Sequence, residues 1–164
     1  MRYFILLVAL FSQANAMEAT GNKLVLQSQE HHNQGLVITA DPANDCTPAM
    51  QVVVLHESNS DDSWPISVVL RVDRATTHTV EGVVMQGPTA QVAHLGLMEG
   101  PIGSTLYTEM RRGNTLRLKY PTDLGGYEYS SYSLIGFTRN IRRAVSNCKE
   151  NSRYFTKSDN SLYL

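Results

Sequence analysis

Residues 115–134, TLRLKYPTDLGGYEYSSYSL, decide the fold because they predict a β-hairpin. Leu116, Leu118 and Tyr120 alternate with basic side chains, which is the two-residue period of a half-buried strand. The turn sequence DLGG follows at residues 123–126, and residues 127–134 are then expected to return antiparallel to the first strand. The hairpin therefore predicts an antiparallel sheet.

The same two-residue alternation of apolar and polar side chains recurs nearer the N-terminus. In residues 65–73, Ile66, Val68 and Leu70 share one face of a predicted strand, and mostly polar residues occupy the other. The expected fold class is mainly β (α+β), a small antiparallel sheet or sandwich in one domain. Further strands are predicted at residues 23–28, 35–39, 51–56, 77–85 and 91–97.

Two helices are predicted to accompany the sheet. Residues 101–112 begin with a proline and end before Gly113, which favours one short helix. Residues 137–148 predict a C-terminal amphipathic helix, because their apolar side chains recur at helical spacing. That apolar stripe consists of Phe137, Ile141, Ala144, Val145 and Cys148.

The N-terminus resembles an export signal. A basic start at Arg2 precedes the apolar residues 3–11, and Ala14 and Ala16 give the small-x-small pattern that signal peptidase recognises. The apolar run is shorter than the ~20 residues of a membrane-spanning helix, so cleavage is the preferred interpretation and a buried helix the alternative.

This interpretation sets the expected domains and location. They are a signal peptide at residues 1–16, a β-rich domain at 17–149 and a polar tail at 150–164. No later stretch is long and apolar enough to predict a membrane span. The expected location is periplasmic, with secretion as a further possibility.

The cysteine pair fits an oxidising compartment. The chain has two cysteines, Cys46 and Cys148, and an isolated pair in an exported protein usually forms one disulfide. Closing a loop of about 100 residues would contribute roughly 4–5 kcal/mol in the chain-entropy model. A free reactive thiol is the open alternative.

The charge distribution limits the classes of partner that the chain is expected to bind. Removing Arg2 with the signal peptide leaves 13 basic and 15 acidic side chains, a net charge of −2 that argues against nucleic acid. The charges are uneven, since residues 17–100 carry −7 and residues 101–164 carry +5. The two segments either neutralise each other in the fold or mark an interaction face.

The sequence contains no motif that predicts catalysis. It lacks the His-Glu-x-x-His, Cys-x-x-Cys and Gly-x-Ser-x-Gly patterns. His56, His78 and His94 could meet across neighbouring strands around a metal ion, although isolated strand histidines are common. We therefore expect no enzyme activity and no cofactor, with an unrecognised hydrolase site as the remaining alternative.

Two features favour protein recognition. The hairpin carries several tyrosines, which combine a large, stiff contact area with a polar tip. The last helix carries a basic strip that an acidic surface could meet; alternatively, half of the tyrosines face the core and the arginines only solubilise the helix. The predicted partner-contacting residues are Tyr127, Tyr129, Tyr132, Arg139, Arg142 and Arg143, with Tyr120 nearby.

The C-terminal third also resembles known exported proteins. The residues that carry the resemblance are MRRGNTLRL at 110–118, YSLIGF at 132–137 and the helix that ends at Cys148. They are similar to the VasI/TagN-like proteins associated with type VI secretion and to the invasion-associated locus B-like proteins. Both are small, exported bacterial domains not established as catalytic. The resemblance implies a non-catalytic exported protein.

These observations lead to a functional expectation. We expect the chain to bind another protein as a secretion-system accessory, an immunity or inhibitor protein, or an invasion-type factor. A periplasmic β domain that binds a small ligand or a metal ion is the alternative. The sequence does not predict the oligomeric state.

Overall fold

A computed structural model describes residues 17–55, 62–98, 100–122 and 126–159. Within them, nine strands form one antiparallel sheet in the order β1-β2-β3-β4-β7-β6-β5-β8-β9. The predicted signal peptide and His56 lie outside the described residues. The strands are β1 Met17–Thr20, β2 Lys23–Gln27, β3 Gln34–Ala40, β4 Pro48–Leu55, β5 Ser63–Val72, β6 Thr77–Gln86, β7 Ala90–Leu97, β8 Thr115–Pro121 and β9 Tyr127–Ser133.

The sheet curls until its two ends meet. Just past β2, Ser28 pairs with Tyr132 of β9, and the Gln29 amide donates a 2.9 Å hydrogen bond to the Ser131 carbonyl. The other part of the same β2 edge is occupied by β1. The predicted mainly β, antiparallel fold class is therefore confirmed, in the form of a nearly closed barrel.

The period-two pattern separates the inside of the barrel from the outside. On β5, Val68, Leu70 and Val72 are buried while Arg71 is exposed, as the alternation in the sequence predicts. The hairpin of β8 and β9 is also confirmed, with Leu118 opposite Ser130 in the register. The inward residues of all the larger strands pack into one core.

Both predicted helices are present, and both contribute to that core. Helix α1 spans Gly100–Arg112 and helix α2 spans Phe137–Asp159. The rings of Tyr107 and Phe137 meet edge to face, with centroids 6.2 Å apart. Neither helix, over its described residues, has the length and apolar character that crossing a membrane requires. Their largest fully buried side chains are Leu106, Met110, Phe137 and Ile141.

Helix α2 also corrects the predicted C-terminal boundary. Its buried stripe and its exposed arginines lie as predicted, but the helix continues past Cys148 to Asp159. The first ten residues of the predicted polar tail, 150–159, are therefore helical. Residues 149–159 contain neither glycine nor proline, so the helix meets no strong breaker after the apolar stripe ends.

The predicted disulfide is confirmed. Cys46 and Cys148 are bonded, with their Cα atoms 5.9 Å apart. Cys46 ends a tight turn in which the Asp41 side chain accepts a 2.9 Å hydrogen bond from the amide of Ala43. The bond lies in a small apolar cluster with Val145. It therefore fixes α2 to the turn that follows β3.

Candidate functional site

The outer surface of the hairpin presents two exposed tyrosines. Tyr127 and Tyr129 are 60% and 62% exposed. The Lys119 Nζ atom lies 3.9 Å from the centroid of the Tyr127 ring and 5.9 Å from that of Tyr129. Such cation–π contacts contribute about 0.5–1 kcal/mol at exposed positions. We call Lys119, Tyr127 and Tyr129 the aromatic face; its backbone is held by the pairing of β8 with β9.

Tyr132 does not belong to this surface. Its side chain is completely buried in the core, so the prediction that it contacts a partner is wrong for this fold. The reason is the strand period, because Tyr127 and Tyr129 differ from Tyr132 by an odd number of residues and must face the opposite side. That spacing is visible in the sequence and could have separated them. Tyr120 is half-buried and also points inward.

The predicted basic strip is exposed but lies away from the aromatic face. Arg139, Arg142 and Arg143 are all exposed on α2. Tyr127 opens β9, whereas α2 begins after β9 ends. At about 3.4 Å per residue, β9 runs roughly 20 Å from Tyr127 and roughly 14 Å from Tyr129 to its end at Ser133.

An open basic groove lies where α1 ends and α2 begins. Its volume is about 770 Å³, and Arg111, Arg139 and Arg142 line it. Ile135, which is 76% exposed, forms part of its wall. Among the described residues none of these arginines has an ion-pair partner. Arg111 was missed in the sequence, because only the fold brings the end of α1 next to α2.

The histidines are not brought together. His78 is buried on β6, and its Nε2 atom lies 2.8 Å from Oε2 of Glu109 in α1. His94 is exposed on β7, where its Nδ1 atom lies 2.9 Å from Nε2 of Gln51. The register pairs His94 with outward-facing Val83, so the two histidines are on opposite faces of the sheet.

This placement corrects the predicted histidine site. His78 and His94 cannot ligate the same metal ion across a sheet, and His56 lies outside the described residues. Within the described ranges, no three histidine, cysteine, aspartate or glutamate side chains are arranged to hold a metal ion. The partner of His78 is instead a carboxylate on a helix that the sequence did not connect with it.

A small, partly open cavity lies inside the barrel. Its volume is about 50 Å³, and most of its wall consists of aliphatic side chains from β4, β5, β6 and β7. The amide side chain of Gln91 on β7 and the side chains of Leu118 and Tyr120 on β8 complete it. Beside the cavity, Gln34 is 1% exposed and donates a 3.2 Å hydrogen bond from Nε2 to the Tyr120 hydroxyl. That hydroxyl in turn donates a 2.6 Å hydrogen bond to Glu128.

Two further hydroxyl groups are buried on the β9 side of the interior. Ser130 is 2% exposed and Tyr132 is fully buried, yet neither hydroxyl has a hydrogen-bond partner among the described residues. Burial raises the pKa of Tyr132, and burial followed by the Glu128 carboxylate raises the pKa of Tyr120. Ser130 lies close enough to both phenols to oppose these shifts, but its geometry completes no hydrogen bond. Both phenols therefore stay protonated and uncharged at neutral pH.

The fold and these surfaces define a disulfide-linked antiparallel β-barrel with two helices packed into its core. Comparison with protein-family models, curated proteins and solved structures finds no match for the chain. The resemblance to VasI/TagN-like and invasion-associated locus B-like proteins therefore stays a prediction.

Proposed function

We propose that this chain is an exported, non-catalytic periplasmic protein that binds another protein through its aromatic face. The observation that carries the proposal is the exposure of Tyr127 and Tyr129, about three-fifths each, on a strand paired within the barrel. Tyrosine is among the residues most enriched at the energetic centres of protein interfaces. It also loses little conformational entropy on binding, because its side chain has two rotatable bonds.

Two features of the chain support export. The sequence of residues 1–16 resembles a cleavable export signal, and its removal would leave every described element intact. The Cys46–Cys148 bond is compatible with an oxidising compartment. The proposed roles remain a secretion-system accessory, an immunity or inhibitor protein, or an invasion-type factor.

The role of the aromatic face in partner binding can be tested by replacing its two tyrosines. We would compare proteins captured from periplasmic extract by the wild type with those captured by a Tyr127→Ala/Tyr129→Ala variant. A matched control is Thr79→Ala/Glu81→Ala, because both positions are exposed on β6 of the same barrel. Thermal melts of all three proteins would establish that the fold persists.

We expect the wild type and the β6 control to capture the same partner protein. The tyrosine variant should not capture it. For the purified pair, the expected affinity loss is at least about tenfold, as for residues at the centre of an interface. A partner that binds the tyrosine variant as tightly as the wild type would overturn the assignment of this surface.

A further inference from the structure

The groove between the end of α1 and the start of α2 concentrates positive charge. Arg111, Arg139 and Arg142 line it, and none of the described residues that complete its wall is acidic. All three arginines are exposed, so their guanidinium groups are accessible to a molecule from solution. A cleft lined by charges of one sign raises the local concentration of ions of the opposite sign. The groove is therefore suited to an anion.

The arginines come from two helices but act on the same place. The guanidinium carbon of Arg111 lies 5.9 Å from the centroid of the Tyr107 ring. Burial raises the pKa of Tyr107, and the positive charges of Arg111 and Arg142 both oppose that rise. The Thr138 hydroxyl donates a 2.7 Å hydrogen bond to the Arg111 carbonyl, which ties the end of α1 to the first turn of α2. The backbone thus fixes where these side chains start.

The carboxylate of Asp73 lies beside the groove but is already in use. Its oxygens accept hydrogen bonds of 2.9 Å and 3.0 Å from the amides of Asn114 and Thr115. Asn114 lines the groove, whereas Asp73 does not. Among the described residues, Asp73 forms no ion pair with an arginine. The positive charge of the groove therefore remains available to a ligand.

The chemistry of the arginines favours a phosphate group over a single carboxylate. The planar guanidinium fork pairs with either group through two hydrogen bonds. A carboxylate has one charge and two acceptor oxygens. A phosphomonoester carries about −1.5 to −2 charges at neutral pH and has three acceptor oxygens, so more than one guanidinium group can bind it. The first turn of α2 contains no acidic residue that would repel it.

The size and wall of the groove indicate that the ligand is larger than a phosphate ion. The open volume of about 770 Å³ falls within the ~300–1,000 Å³ of typical small-molecule sites. Ile135, which is 76% exposed, supplies an apolar surface next to the arginines. A ligand that combines a phosphate with an apolar chain would use both parts of the wall.

We propose that this groove binds a molecule in which a phosphomonoester group is joined to an apolar chain. Arg111, Arg139 and Arg142 hold the phosphate, and the chain lies against Ile135. The groove shares no residue with the aromatic face, so this proposal and the proposed function can fail independently. The suitable probe is hexyl phosphate, and heptanoate is its counterpart with the same alkyl chain on a carboxylate.

Calorimetric titration would measure the binding. We expect hexyl phosphate to bind saturably and heptanoate at least about tenfold more weakly, a difference of about 1.4 kcal/mol. Inorganic phosphate should also bind more weakly, because it has no chain to contact Ile135. Vesicles of phosphatidylcholine with and without phosphatidic acid present the same phosphate group on a lipid. Binding to the phosphatidic acid vesicles assigns the ligand to lipids, and binding to hexyl phosphate alone assigns it to soluble phosphoesters.

Variants of exposed residues separate the groove from general electrostatic attraction. Arg111→Gln and Arg142→Gln should each weaken hexyl phosphate binding by about tenfold or more, as expected for a lost charge-assisted hydrogen bond. Arg112→Gln and Arg143→Gln are the matched controls, because they remove the same charge from the same helices outside the groove. They should change the affinity by less than about twofold, since solvent screens distant exposed charges. Ile135→Ser should weaken hexyl phosphate but not inorganic phosphate.

The results that would overturn the proposal are equally specific. A titration of the folded wild type with hexyl phosphate that shows no saturable heat would exclude the site. Equal losses in the groove variants and in Arg112→Gln and Arg143→Gln would show that only the overall charge attracts the anion. Heptanoate that binds as tightly as hexyl phosphate, or a triglutamate peptide that binds more tightly, would assign the groove to carboxylates instead.

Discussion

The carboxylate of Glu30 accepts two hydrogen bonds from Ser131, one from its backbone amide and one from its side-chain hydroxyl. These residues are far apart in sequence but meet where the barrel closes, beside the pairing of Ser28 with Tyr132. Although burial alone would raise the pKa of Glu30, the hydrogen bonds from Ser131, from the Glu30 backbone and from Ser28 together outweigh it and lower the pKa. Closure of the barrel is thus coupled to an ionised carboxylate.

We expect this carboxylate to make stability depend on pH. Because the pKa of Glu30 is lower in the folded than in the unfolded state, its stabilisation is complete above the unfolded-state pKa and is lost as pH falls through the folded-state pKa. The gain is at most about 1 kcal/mol, since solvent screens an exposed carboxylate. Urea unfolding of the wild type and Glu30→Gln at neutral and acidic pH measures it. An equal stability difference at both pH values would contradict the coupling.

Loss of the disulfide should strongly destabilise the folded protein. The Cys46→Ser/Cys148→Ser variant is expected to lose about 3–5 kcal/mol of unfolding free energy, because the unfolded chain is no longer cross-linked over a long loop. Urea unfolding of the oxidised wild type is the reference. Intact mass after alkylation provides the control, and two alkylated thiols in the unreduced wild type would show that the bond does not form.

Replacing Gly113 with alanine should strain the junction between α1 and β8. A Cβ atom at this position would overlap Cγ1 of Val72, which is buried in the core. We expect a loss of about 1–3 kcal/mol, typical of overpacking. Gly87→Ala is the matched control, because the nearest atom to its new Cβ is 3.7 Å away. Thermal melts that show equal losses in both variants would refute this explanation.

Export predicts a defined N-terminus for the mature protein. Expression in a bacterium with periplasmic fractionation should yield a product that begins at Met17, the first residue of β1. Intact mass spectrometry reads this directly. The Ala14→Leu/Ala16→Leu variant should accumulate uncleaved, because signal peptidase needs small residues at these positions. Full-length wild type recovered from the cytoplasm would contradict the export proposal.

Local patterns predicted more of this fold than of its candidate sites. The hairpin and the stripe of α2 depend on neighbouring residues, so periodicity alone locates them. Closure of the barrel joins Ser28 to Tyr132, and no local pattern encodes a pairing across such a distance.

In the candidate sites, too, features set by local spacing were predictable from the sequence, whereas features set by long-range packing were not. The spacing of the tyrosines could have identified Tyr127 and Tyr129 as outward and Tyr132 as inward once the strand was assigned. The separation of His78 from His94 depended on strand register, and the convergence of Arg111 with α2 depended on helix packing. Neither property can be read from residue spacing within one element.

Of the nine strands in the described part of the chain, the bond between Cys46 and Cys148 encloses six, β4 to β9, in a covalent ring, and β1, β2 and β3 lie outside it. A protease that cuts once inside this ring opens a loop without releasing a fragment. A nicked molecule therefore migrates as one species until a reductant separates its two halves. In an oxidising compartment, release of a fragment from residues 46–148 therefore requires a second cut or a thiol donor.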